Sequence, residues 1–281
     1  MEYTKLRPLI SEGKYFEGPR WHARKLWMVD SLARTVLSVG LDGVCKTAFE
    51  VPGISGGMGF LPNRNPVVTS MFDRKLLTFE DNQLSTLIDL SSIATGTIDD
   101  MIIDGRGHIY VGDLGFDLMK GGSHENGKLI LVIPSGDARI VADGLRFPNG
   151  IAASEDGTRL VVAESDGNCL SDFQIRADGS LEKGRRFGKF TEPDGICLDR
   201  EGAVWVSLYQ EDAFVRVAPD GRVLDRIAVT GRRAIACALG GVDRRTLFCI
   251  SADTSHEDLM RGKSSACVDI VEVQIAGAGF P

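Results

Sequence analysis

The chain has no excess of positive charge: its 32 Lys and Arg are outnumbered by 39 Asp and Glu, for a formal net charge of −7. Binding a phosphate backbone needs a basic stripe, so nucleic acid is excluded as a partner. No apolar run approaches the ~18 residues that cross a bilayer. The opening Met1-Glu2-Tyr3-Thr4-Lys5-Leu6-Arg7 lacks the basic-then-apolar order of a signal segment. Together these absences predict a cytoplasmic chain with no membrane partner. The six cysteines (45, 169, 197, 237, 249 and 267) form no Cys-x-x-Cys pair, and none stands at ligand spacing from a histidine. Reduced, mostly buried thiols are expected, with neither a zinc site nor a disulfide framework. No stretch of useful length repeats apolar residues every 3.6 positions, and neither G-x-G-x-x-G nor G-x-x-x-x-G-K occurs. Nucleotide-binding βαβ folds are thereby excluded.

What the chain has is glycine, 33 in 281 residues, well above the ~7% of an average protein. It also has short β-rich runs: Leu26 to Asp30, Val67 to Ser70, Ile109 to Gly112, Leu160 to Ala163, Val204 to Ser207 and Leu247 to Ser251. Their ends, at 30, 70, 112, 163, 207 and 251, recur every 40–51 residues. One four-stranded blade takes ~40–50 residues, so six such units predict an all-β, six-bladed β-propeller with residues 1–281 as a single domain. Asp42-Gly43, Asp104-Gly105, Asp156-Gly157 and Asp220-Gly221 supply turns between strands. A ring hides its strand edges only if its ends meet. The alternating segment from Val268 to Ile275 is therefore expected to be completed by residues near Lys5 to Ile10.

Upstream of each run, at offsets of 13, 13, 13, 14, 13 and 18 residues, stand Glu17, Gly57, Asp99, Asn149, Asp194 and Arg233. The innermost strand of each blade lines the central channel, so these positions are expected to form a ring on the axis. Taken alone, Asn149-Gly150 and Asp194-Gly195 read as turn dipeptides. Their fixed offset to a following strand argues instead for one shared role. Three carboxylates and an amide oxygen aimed at one axis repel one another unless a cation sits among them. Oxygen donors without Cys or His favour a hard cation, Ca²⁺ first, then Mg²⁺ or Mn²⁺, with Zn²⁺ less suited. Arg233, with the longest offset, reads equally well as a solvated surface arginine.

In three segments the chain resembles the SMP-30/gluconolactonase/LRE family of six-bladed propellers. These are Glu17-Gly18-Pro19-Arg20-Trp21 with Leu26 to Asp30, Phe147-Pro148-Asn149-Gly150-Ile151-Ala152, and Pro193-Asp194-Gly195-Ile196 running to Trp205-Val206-Ser207. The resemblance implies that Glu17, Asn149 and Asp194 bind a divalent metal, that Asp194 serves as the base, and that a lactone ring is opened, commonly that of an aldonic acid. Members acting on sugar lactones often carry Arg-x-Asn-Asp in the third blade, where this chain has Thr97-Ile98-Asp99-Asp100. Thr97 thus replaces a basic residue, and Asp99 replaces an amide at the metal or substrate. Alongside Thr97, Asp99 and Asp100, the side chains expected at the substrate are Met58, Phe147 and Arg233. Met58, Phe60, Met101 and Phe147 suggest a less polar substrate, though core packing explains them equally well.

The chemistry that follows is metal-assisted hydrolysis of a small-molecule lactone. A cation polarises the carbonyl and lowers the pKa of a bound water, and a carboxylate accepts the water proton. A metal-bound carboxylate is a poor base, so Asp99 carries the same weight as Asp194. The glycine-flanked stretch 113–127 reads either as a lid bringing Phe116, Met119 or His124 to the substrate, or as an idle loop. Two other functions share the same ring: metal-dependent hydrolysis of a phosphotriester or aryl ester, and a non-catalytic calcium- or ligand-binding propeller. A scaffold has no reason to aim four oxygen donors down one channel, whereas both hydrolases require them.

Overall fold

The computed structural model describes residues 5–123, 126–182 and 184–278. These residues form six antiparallel four-stranded sheets arranged as the blades of a propeller. The innermost strands, in chain order, are Phe16–His22, Met58–Phe60, Ile98–Ile103, Pro148–Ala153, Pro193–Leu198 and Arg233–Gly240. Each contacts the innermost strands of the two neighbouring blades, so they close a ring around one channel. The sixth blade is completed by the N-terminal strand Arg7–Gly13, which pairs with Ser265–Glu272 through Arg7↔Ile270 and Gly13↔Ala266. The expected meeting of the two chain ends is thus present, and it seals the ring by backbone hydrogen bonds. Among the described residues no helix is long and apolar enough to cross a membrane.

Burial follows distance from the axis. The second strands Ile109–Asp113 and Val204–Leu208 are buried at every position, because neighbouring blades cover both of their faces. The outermost strand Gln83–Asp89 is exposed or half-buried throughout, as a strand with one wet face is. The core lies between blades. Ile102, Tyr110 and Leu131 of the third blade pack with Ile151, Leu160 and Phe173 of the fourth, and Phe16 and Met28 of the first pack with Phe248 and Ile250 of the sixth.

Near the mouth of the channel the innermost strands approach more closely than side chains allow. A Cβ added to Gly18 would lie 2.9 Å from the Gly57 backbone, one on Gly150 would lie 2.5 Å from the Asp194 carbonyl oxygen, and one on Gly195 would lie 2.6 Å from both Cα and Cβ of Ala236. Gly18 also holds a φ of +54°, which glycine adopts without steric cost. The neighbour of Gly195 is main chain and cannot swing aside. Gly195→Ala is therefore expected to destabilise the fold by about 1–3 kcal/mol, the usual range for overpacking, as a lower midpoint in thermal or urea unfolding. An unchanged midpoint would show that the blades are not packed to contact here.

Candidate active site

Five of the six innermost strands carry the same irregularity where they enter the channel. One extra residue is inserted opposite the second strand between Glu17 and Arg20, Ile98 and Met101, Pro148 and Ile151, Pro193 and Ile196, and Ala234 and Ala236. A bulge bends its strand and re-aims the side chain beside it. Strand pairing makes Glu17, Gly56, Asp99, Asn149, Asp194 and Ala234 the equivalent residues. The offset count points one residue away in two blades, to Gly57 and Arg233, and the pairing corrects it. Met58 faces Val68 and Ala234 faces Ser251, and the eight-residue innermost strand of the sixth blade upsets a count made from its far end. Gly56 has a further role: a Cβ there would collide with the Asp99 carboxylate, so the missing side chain makes room for that acid.

Burial is the first cause that raises the carboxyls of Glu17, Asp99 and Asp194, and repulsion among carboxylates adds to it. Asp194 and Asp99 act on Glu17, Asp99 and Asp100 act on Asp194, and Asp100 acts on Asp99. Asp99 is pushed up to about 7; Glu17 and Asp194 are raised well above the ordinary carboxylate range. Asp194 Oδ1 is buried without a hydrogen-bond partner among the described residues. Asn149 Nδ2 donates to Ser165 Oγ at 3.2 Å, and Ser165 Oγ donates to the Pro193 carbonyl at 2.7 Å. This chain fixes the amide plane and leaves the amide oxygen for a ligand.

Further along the channel Arg20 and Asp100 close it. Arg20 Nη2 donates to Asp100 Oδ1 at 3.1 Å and to the Met101 carbonyl, while Asp100 Oδ2 accepts the Ile151 N–H at 3.1 Å. The pair therefore ties the first, third and fourth blades together across the axis. A cavity of about 10 Å³ lined by Glu17, Asp100 and Asn149 remains beside it, room for roughly one water-sized sphere. A larger cavity of about 40 Å³, lined by Ile102, Ile151, Leu198 and Cys237, extends into the other half of the channel, away from the carboxylates.

The remaining sequence candidates fall in different places. Asp100, expected at the substrate, has both oxygens committed to Arg20 and Ile151. Thr97 is buried, and its Oγ1 accepts the Leu118 N–H at 3.0 Å, so it anchors the 114–118 segment instead of facing substrate. Met58 is fully buried among Val29, Val36, Phe60 and Val68, and Met101 likewise packs in a core between blades; neither reaches the mouth. Arg233 precedes the ring position, half-buried, with Nη1 donating to Asp212 Oδ1 at 3.2 Å and its guanidinium over the Tyr209 ring. Phe147 is half-buried at the mouth, two residues before Asn149, with its ring 5.9 Å from that of Phe116. Its φ of +56° is uncommon for a non-glycine residue, and such strain concentrates at functional sites. In the 113–127 stretch Phe116 is buried and Met119 exposed. His124 lies outside the described residues.

Three site residues escape the sequence reading. Arg20 sits inside the Glu17 motif, yet its role depends on a partner eighty positions away. Tyr15 and Tyr209 are buried and feel the charges of Glu17 and Asp194. The signal for Tyr209 was available: it follows directly on the second strand Val204–Leu208, where the chain turns at the mouth.

The donors present fit a hard divalent cation. Two carboxyls raised by burial and by their neighbours' charge, an amide oxygen left free, and one buried oxygen without a partner among the described residues are what a cation compensates. Among the described residues no three His, Cys, Asp or Glu side chains are grouped so as to hold a metal ion, so the candidate set is Glu17, Asp194 and the Asn149 amide.

A family model described as the SMP-30/gluconolactonase/LRE-like region matches residues 16–253. A 6-deoxy-6-sulfogluconolactonase of Pseudomonas putida is 28% identical over 162 residues, 55% of this chain and 56% of that protein. The pentonolactonase XacC of Haloferax volcanii is 23% identical over 99% of this chain and 97% of its own length. Among solved structures, a calcium-binding regucalcin of Agrobacterium tumefaciens superposes with a TM-score of 0.82 at 20% identity, covering 99% of this chain and 97% of that one; this likeness concerns the fold.

The raised carboxyls fix the sign of a pH effect. A group whose folded pKa lies above its unfolded value, roughly 4 for a carboxyl, favours folding at low pH, and that contribution is lost as pH rises through the folded value. With a chelator present, the unfolding temperature is expected to fall more steeply between pH 5 and 8 in the wild type than in Asp99→Asn, and excess calcium should abolish the difference. Parallel slopes would contradict this.

Proposed function

The chain belongs to the SMP-30/gluconolactonase/LRE-like family, and from that membership we propose that it hydrolyses the ring ester of a small lactone with one divalent cation, calcium by preference. The observation that carries the reading is the convergence of Glu17, Asp99, Asn149 and Asp194 at one register position with an oxygen of Asp194 left unpartnered. The names of the lactonase relatives support the reaction class.

Glu17, Asp194 and the Asn149 amide oxygen hold the cation. When bound, it supplies positive charge that draws electrons from the ester carbonyl. Asp99 is the base. It shares the register position of Glu17, Asn149 and Asp194 without being one of the three that hold the cation, whereas a carboxylate engaged by a cation loses basicity. Asp99 accepts one proton from the attacking water as the new C–O bond forms. The ring C–O bond then breaks, and that proton ends on the released alkoxide to give the open hydroxy acid. The Arg20–Asp100 pair spans the channel beyond the carboxylates, and the half-buried Phe147 ring, backed by the buried Phe116, gives the mouth an apolar side suited to a substrate less polar than a sugar acid.

The test is a panel of three lactones, glucono-δ-lactone, γ-butyrolactone and dihydrocoumarin, beside one aryl phosphotriester, followed by proton release, with and without chelator, across Ca²⁺, Mg²⁺, Mn²⁺ and Zn²⁺. Hydrolysis is expected to disappear on chelation and return with calcium. Turnover that survives complete chelation, or a preference for an aryl phosphotriester, would overturn the reading. Within an active enzyme, Asp99→Asn should keep its calcium affinity and lose about 10²–10⁴-fold in kcat, the range for a general base, while Asp194→Asn should weaken calcium binding. Wild-type kcat in Asp99→Asn would remove Asp99 from the mechanism.

A further inference from the structure

The mouth holds a buried donor that the scheme above does not use. Tyr209 begins the short turn Tyr209–Glu211 in the blade that carries Asp194. It is 4% exposed, and its hydroxyl has no hydrogen-bond partner among the described residues. Its N–H donates to the Glu192 carbonyl at 3.2 Å. The His256 imidazole stacks on its ring at 4.5 Å with 14° between the planes, and the Arg233 guanidinium lies 5.6 Å from the ring centre. These contacts are themselves held. His256 Nε2 lies 3.1 Å from Glu192 Oε2, which also accepts from Gln210 Nε2 at 2.8 Å, and Arg233 is paired with Asp212. Two blades thus clamp one phenol ring while leaving its polar atom unsatisfied.

Buried hydroxyls are nearly always partnered, and leaving one unpaired is costly. A clamped, buried and partnerless hydroxyl is explained when its partner arrives with the ligand. Asp194 Oδ1 is also without a partner, so the two groups do not satisfy each other. Burial and the nearby Asp194 push the phenol up to about 12, which keeps its proton in place as a donor.

Resting on the lactonase reading, we propose that the Tyr209 hydroxyl donates a hydrogen bond to the lactone carbonyl oxygen as negative charge builds on it, with His256 and Arg233 as the positioning residues that fix the ring. No proton leaves Tyr209; the bond strengthens with the charge and relaxes when product forms. Preorganised donors of this kind act mainly on the transition state.

The experiment uses the calcium-loaded full chain and the same three lactones. Tyr209→Phe keeps the clamped ring and removes only the donor. It is expected to lower kcat about 10²-fold, the loss seen for one such donor, with KM and calorimetric calcium affinity within about threefold and an unfolding temperature no lower than that of the wild type. His256→Ala should lose part of kcat by loosening the ring, and His256→Phe, which keeps a stacking face, should recover most of it. An active wild type matched by an equally active Tyr209→Phe overturns the role of Tyr209 alone. A Tyr209→Phe whose calcium affinity or stability collapses assigns the residue to structure and also overturns the proposal. A wild type inactive on all three lactones overturns both this inference and the function it rests on.

Discussion

Carboxylates brought together on one axis are the constraint to which the rest of this molecule answers. Burial in the low-dielectric interior disfavours their charge and like charges there repel strongly, and both effects raise the carboxyls of Glu17, Asp99 and Asp194 above the ordinary range. The sequence offers little to neutralise them. Arg20 is spent on Asp100 and the Met101 carbonyl. Arg233 lies one position before the ring and pairs with Asp212. Such an arrangement persists only if something else enforces it. The closed ring does, with the N-terminal strand sealing the last blade and the bulges and glycines fixing where each innermost strand turns toward the axis.

Two layers follow from this. Inside the channel, geometry is set by backbone: bulges aim the acids, and glycines let the strands touch. At the mouth, side chains take over, and the two sides differ. Blades five and six present Glu192, Tyr209, Arg233 and His256, a connected polar set, while Phe116 and Phe147 stand over the third and fourth. Phe147 and Glu192 both hold positive φ immediately before a proline, a strained arrangement. Their carbonyls accept the N–H groups of Ser165 and Tyr209. Strain in two rim residues thus fixes the positions of Ser165, which holds the Asn149 amide, and of Tyr209, which feels the charge of Asp194.

The architecture was legible because a propeller repeats, and strand runs spaced every 40–51 residues leave few other solutions. The convergence of Glu17, Asp99, Asn149 and Asp194 was legible for the same reason, since equal offsets from equal strands mean equal places. Legibility failed where equal spacing did. The second blade has a three-residue innermost strand and the sixth an eight-residue one, so Gly57 and Arg233 were each displaced by one position, enough to turn a strand residue to the other face. Asp100 and Thr97 were misplaced for another reason. Their residue types suit a ligand, but their partners, Arg20, Ile151 and Leu118, come from elsewhere in the chain and no local pattern announces them. Tyr209 shows the converse, a side chain whose importance rests on what it lacks.

The central claim is that oxygen atoms from three separate blades hold one cation on the propeller axis. Anomalous scattering from a crystal soaked in Mn²⁺ tests it directly. The account predicts one strong peak among the oxygens of Glu17, Asn149 and Asp194; no peak there, or a peak only elsewhere, would contradict it.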